Sequence, residues 1–226
     1  EVISRQIANS HTVFNITMTL IWVCLINVMV KIVMTLIPDG KAVAVDPAKP
    51  LYLDEKMINQ PTAALQLVAK EILHISDIVK DAVSNTIEIV KTEDISQLEG
   101  LLEKGKNIKA LTEKTTEYLA LLFSSGTMTE QQAAQTASLM YILSDVERMG
   151  SLSVEIAKCI QEKEQNNYKY TPEAMDELQK SLRTLEKMFI DSMKALQGDK
   201  SVQIDKMVKR KDKIMDLDIK MRKAHL

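Results

Sequence analysis

The chain has 226 residues, a formal net charge of −2 and an aromatic content of only 4%. That balance, with a pI near 6.0, creates no field that would gather nucleic acid, and no nucleic-acid role is expected. Leu, Ile, Val, Met, Lys and Glu dominate, and only six glycines and five prolines interrupt them, so long helices are favoured over sheet and the fold class predicted is all-α.

The sequence opens on Glu1, and its last helical pattern runs to Leu226 without a stop signal, so it reads as a piece of a longer protein. Residues 12 to 37, TVFNITMTLIWVCLINVMVKIVMTLI, hold Lys31 as their one charge. A bilayer needs about 20 apolar residues, and this stretch predicts one transmembrane helix within residues 1–37. Asn15, Thr17, Thr19 and Asn27 make it too polar for a simple anchor. In lipid such groups need partners, so the helix is expected to pack against upstream transmembrane helices of the same protein, with Lys31 snorkelling to the interface. A signal peptide would be shorter and would end in small residues. Lys31, Lys41 and Lys49 after the apolar centre outnumber Arg5 before it, which places the following domain in the cytoplasm.

Residues 38–60 contain Pro38, Asp39, Gly40, Pro47 and Pro50 and read as a linker. Residues 61–226 then read as a helical bundle. Pro61 suits the first turn of a helix, and Leu65, Val68, Ile72, Ile75, Val79, Val83, Ile87 and Val90 follow in steps of three and four, the spacing of an amphipathic stripe. A second bundle helix is expected from about Thr92, capped by its hydroxyl, with Gly100 and Gly105 weakening it. Thr129 and Gln132 have capping-box spacing at the start of a third helix reaching about Glu164. Thr171 and Pro172 start a fourth, Gly198 ends it, and a fifth runs to the terminus. The first three, each roughly 30 residues and so about 45 Å long, should form an antiparallel unit over residues 61–165. Ile214 and Leu217 stand in the fifth helix as Ile108 and Leu111 stand in the second, so residues 171–226 read as a truncated second copy of a three-helix repeat. No cysteine pair has CxxC spacing, since Cys24 and Cys159 lie far apart, and a reducing compartment fits.

The segment SDVERMGSLSVEIAK at residues 144–158 resembles the signature helix of the PhoU family, with Asp145, Glu147, Arg148 and Gly150 matching its DLERIGD-like pattern. Residues 51–79 resemble the start of the PhoU-like domain behind the membrane part of bacterial sodium/phosphate cotransporters, and IANSHTVFNITMTLIW is similar to the last membrane segment of those transporters. The resemblance implies the C-terminal portion of a sodium-dependent inorganic phosphate transporter in the inner (plasma) membrane. Its cytoplasmic PhoU-like domain would regulate transport or phosphate signalling, with sodium and inorganic phosphate as partners. It also implies two copies of a three-helix unit, of which the sixth helix would be missing here.

The family's acidic ExxxD pattern becomes Glu147 to Ser151, so a divalent or iron-type metal on the bundle has lost one oxygen ligand. Asp77, Asp81, Asp145 and Glu147 remain candidate ligands, against the plainer reading of solvated carboxylates. Asp77 and Asp81 stack on one helix face, while Asp145 and Glu147 lie at opposite edges of an apolar stripe. Glu71 and His74 have the ExxH spacing of di-iron bundles but lie off the apolar stripe, and no second ExxH occurs. With three histidines, no nucleophile constellation and no Gly-rich phosphate loop, no enzymatic activity is expected. In the membrane segment His11, Asn15 and Thr19 form one polar face, which borders the transport path or serves helix packing. The alternating charges of the fifth helix read as a solvated face or a contact with transporter loops. The alternative to a transporter fragment is a membrane-tethered helical signalling or scaffold module, which would need an unbroken heptad pattern.

Overall fold

The computed structural model describes residues 2–36 and 46–224, with the side chains of residues 2–8, 24, 27, 30–36 and 224 left aside. The expectations placed on Arg5, Cys24, Asn27, Lys31, Lys41 and the Pro38, Asp39 and Gly40 part of the linker therefore lie outside the described residues. Among the described residues the fold is all-α: six α-helices, α1 Val2–Leu36, α2 Pro61–Thr92, α3 Leu98–Ser124, α4 Glu130–Gln165, α5 Pro172–Leu196 and α6 Ile204–Ala224, and no strand. By internal contacts the chain divides into Glu1–Asp46 and Pro47–Leu226.

The first unit is α1, 35 residues long. Val13, Phe14, Leu20, Trp22, Leu25 and Ile26 are exposed and point to all sides of it. Among the described residues no helix is long and apolar enough to cross a membrane. The span expected over residues 12–37 falls partly on side chains, and on Ile37, outside the description.

In the second unit α2, α3 and α4 pack mutually, α5 packs on α2, and α6 packs on α5. The predicted stripe on α2 is buried throughout, from Leu65 to Val90. Its buried arc is wider than one stripe, because neighbours such as Glu71 and Ile72, Ala82 and Val83, and Thr86 and Ile87 are buried in pairs. A helix covered by three others needs such an arc. Two buried hydroxyls on it are satisfied locally or across helices. The Ser76 hydroxyl donates to the Ile72 carbonyl at 2.7 Å. The Thr86 hydroxyl lies 2.9 Å from the Ala82 carbonyl and 3.0 Å from the Ser153 carbonyl of α4, sharing its proton between them.

That last contact requires α4 to come close, and glycine permits it. A Cβ on Gly150 would stand 3.0 and 3.3 Å from Ile108 side-chain carbons and 3.3 Å from a Val79 methyl, and one on Gly105 would stand 2.9 Å from Val154 Cγ2. Gly105 thus does more than weaken α3, since it lets α3 and α4 touch. Gly100 has nothing within 4 Å of the same position.

The capping box of Thr129 and Gln132 forms as expected, and Thr171 accepts from the Ala174 N–H ahead of Pro172. Thr92 differs from the expectation. It is the last residue of α2, and its hydroxyl donates back to the Glu88 carbonyl at 2.8 Å. Glu93 then turns left-handed with φ 56°, and the capping role passes to Asp94, which accepts from the Ser96 N–H at 2.9 Å in a short 3-10 turn before α3. The expected equivalence of α6 and α3 is uneven in burial: Ile108 and Leu111 are 1% and 0% exposed, whereas Ile214 and Leu217 are half-buried. α5 has only Ser181 and Leu182 fully buried, and a salt bridge from Arg210 to Asp191 ties α6 to it.

Two glycine substitutions should separate close packing from helix propensity. Gly100→Ala, at an open exposed site, should stabilise by up to about 1 kcal/mol. Gly150→Ala gains the same propensity but must push aside two buried β-branched side chains, for a net loss of about 1 kcal/mol. Thermal melts of both decide it, and equal gains would show that α4 does not sit so close.

Candidate functional site

The signature segment on α4 divides by face. Val146, Gly150, Ser153 and Ala157 point inward and are buried, forming the seam with α2. Asp145, Arg148, Leu152 and Glu155 point outward and are exposed. Glu147 is half-buried, and its carboxylate accepts from the Ser151 hydroxyl at 2.7 Å. Ser151 therefore replaces a possible metal ligand with a donor that already occupies one oxygen of Glu147.

Asp77 and Asp81 are exposed on α2. Asp77 borders a groove of about 200 Å³ between α2 and α5, beside Ser76, Lys80 and Phe189. Among the described residues no group of three or more His, Cys, Asp or Glu side chains is placed to hold a metal ion, so Asp77 and Asp81 do not join Asp145 and Glu147 in one cluster.

The polar face of α1 is present as spaced, with His11, Asn15 and Thr19 all exposed. The hydroxyls of Thr17 and Thr19 donate to the Val13 and Asn15 carbonyls, each at 2.8 Å. Both threonines thus satisfy themselves within their own helix.

Glu71 requires a correction. The sequence reading put it off the apolar stripe, yet it is 0% exposed. Its Oε2 accepts two consecutive backbone N–H groups, from Leu51 at 2.9 Å and Tyr52 at 2.7 Å. Its Oε1 is buried and has no hydrogen-bond partner among the described residues. His74, one turn along, sets its ring edge-on to Tyr52 at 6.3 Å between centroids. The ExxH pair thus faces a segment of its own chain. The spacing carried a signal: Glu71 stands three residues after Val68 and four before Ile75, both core positions.

Two further anchors hold the same segment. The Lys114 ammonium donates to the Ala48 carbonyl at 2.6 Å, and the Tyr118 hydroxyl donates to the Asp54 carbonyl at 2.8 Å. Together with Leu53, Leu121 and Lys49 they line a cleft of about 320 Å³. Burial of the phenol, then the nearby charges of Asp54 and Glu55, raise the Tyr118 pKa above 10.0.

A larger cleft, about 500 Å³, opens at the corner where α4 leads to α5, lined by Glu93, Lys163, Asn167, Tyr168 and Tyr170 among others. Lys163, with only 10% of its side chain exposed, donates to Glu93 at 2.5 Å and lies 5.5 Å from the Tyr170 ring centroid. The left-handed turn at Glu93 presents that carboxylate to α4. Composition alone did not reveal this pair, because its partners are 70 residues apart.

Comparison with known proteins finds a PhoU domain at residues 72–160. It spans the inward seam of α2, α3 and α4 and begins one residue after Glu71. No curated protein and no solved structure matches the chain.

The raised phenol gives an alkaline prediction. Below pH 10 Tyr118 is protonated whether folded or not, and its contribution is complete. Above that, the unfolded chain releases the proton first, so stability falls as pH climbs through the folded value. Tyr118→Phe should cost about 1 kcal/mol at neutral pH and show a shallower decline above pH 10 by denaturant titration. Parallel declines in the two proteins would rule out this role.

Proposed function

Proceeding from a PhoU domain at residues 72–160, we propose that the chain is the C-terminal portion of a sodium-dependent inorganic phosphate transporter whose bundle regulates uptake. The single observation that carries this is the pairing, in one chain, of that domain with a 35-residue helix on which Val13, Phe14, Leu20, Trp22, Leu25 and Ile26 are all exposed. Exposed apolar side chains in that number call for cover by protein or lipid, with His11, Asn15 and Thr19 as the helix's polar face, and Glu1–Asp46 makes its contacts as a unit of its own. Self-satisfied hydroxyls at Thr17 and Thr19 lower the cost of lodging this helix in hydrocarbon. On this reading His11 and Asn15 meet neighbouring transmembrane helices, and the bundle lies on the cytoplasmic side of the inner membrane.

The bundle has the features of a regulatory element rather than a carrier. The outward charges of α4, Asp145, Arg148 and Glu155, offer a surface for polar contacts with cytoplasmic loops or a partner protein. The role proposed is to adjust uptake to the phosphate supply, with no chemistry of its own.

Two measurements test this. The chain should stay in the pellet when membranes are washed with alkaline carbonate, and release into the supernatant would overturn the membrane placement. In cells carrying the gene, sodium-dependent uptake of labelled phosphate should fall severalfold when phosphate is plentiful. Leu111→Asp, which puts a charge at a fully buried core site, should leave uptake running without that response. A variant that still responds like the parent would overturn the regulatory role.

A further inference from the structure

Residues 47–60 cross the bundle without an α-helix or a strand, apart from one 3-10 turn at Glu55–Met57. This strap contributes no fully buried residue. Leu53, Met57 and Ile58 only rest half-buried against the core, whereas the helices beneath it supply the fully buried side chains. Polar contacts hold it as well: Lys114 on Ala48, Tyr118 on Asp54, and the two backbone N–H groups on Glu71, with the Tyr52 ring against His74. A segment with few buried apolar contacts and a handful of hydrogen bonds opens at lower free energy than the core.

Glu71 sets that balance. In the docked state its Oε2 receives two charge-assisted hydrogen bonds, which favour docking. Its Oε1 is out of water and without a partner, which opposes docking. Lifting the strap would lose the first and restore hydration to the second, so docking is favoured by less than its hydrogen bonds alone would give. The sequence also makes the strap the covalent route from α1 into α2.

We propose that residues 47–60 are a releasable latch seated on Glu71, and that its docking and release pass the state of the PhoU domain to the chain ahead of it. The signalling half rests on the regulatory reading above. The latch itself does not, since it follows from the geometry of Glu71 alone. A conformational switch needs an element with two accessible arrangements, and here the carboxylate that holds one arrangement is also the group that gains from leaving it.

Hydrogen exchange on the full chain in lipid nanodiscs, read by mass spectrometry, tests the latch. In the parent, the Leu51 and Tyr52 amides should be protected, yet exchange at least about tenfold faster than the α3 and α4 core. Glu71→Gln exchanges the carboxylate for a neutral acceptor and should speed those two amides by about tenfold while leaving the core amides unchanged. Tyr118→Phe removes the anchor two residues further along the strap, at Asp54, without touching Glu71. It should speed strap exchange severalfold, and it decides the matter if Glu71→Gln does not fold. Strap amides that exchange at the core rate in the parent, or that neither variant accelerates, overturn the latch. Labelled-phosphate uptake by the same variants then reads the signalling half. Uptake in Tyr118→Phe and Glu71→Gln that has lost its response to phosphate supply supports it, and an unchanged response alongside faster exchange overturns it. A parent with no phosphate response would overturn the regulatory reading, while the exchange data would still stand for or against the latch.

Discussion

The bundle depends on α2 being enclosed. Three helices and a strap lie against it, so nearly every polar group on its surface must find a partner in protein rather than in water. Ser76 and Thr86 do so through backbone carbonyls, and Glu71 does so through one of its two oxygens. The close approach of α4 at Gly150 follows from the same enclosure, because the Thr86 to Ser153 contact is reached only when the two helix backbones come near. Position by position, the packing of α3 and α4 is what the crowding of α2 allows.

This enclosure also orders the PhoU signature by face. Its small and apolar members line the seam and its charged members face outward, so one short run of residues specifies both how α4 packs and what it shows to a partner. The inward half is a packing requirement, and the outward half is free to carry recognition. α5 and α6 stand apart from this arrangement. α5 lies on α2 from outside, held by half-buried apolar residues and by the Ser84 hydroxyl donating to Glu186, and α6 lies on α5, tied by the Arg210 to Asp191 pair.

Several local signals in the bundle read correctly, whereas the membrane span expected over residues 12–37 gains no support among the described residues. The α2 stripe, the capping box at Thr129 and the start at Thr171 and Pro172 depend on residues within one or two turns of each other. One error was itself local, and the others came where the deciding partner was distant. Thr92 looks like a cap until the left-handed turn at Glu93 ends the helix and leaves Asp94 to cap the next turn. Glu71 looks solvated until residues 51 and 52, twenty positions earlier, fold over it. Gly105 reads as a weak point in a helix until Val154 is seen against it. As for the candidate ligands, spacing placed Asp77 with Asp81, but spacing within one helix has no information about how carboxylates on two helices are disposed.

The corner at Lys163 has a chemical corollary. An ammonium with a tenth of its side chain exposed, held by Glu93 and covered by the Tyr170 ring, is shielded from acylating reagents that modify lysines such as Lys180, whose side chain is 66% exposed. Acylation of Lys163 would therefore report an opening of that corner. The fold thus carries its own covalent probe of the corner between α4 and α5, readable without altering a residue.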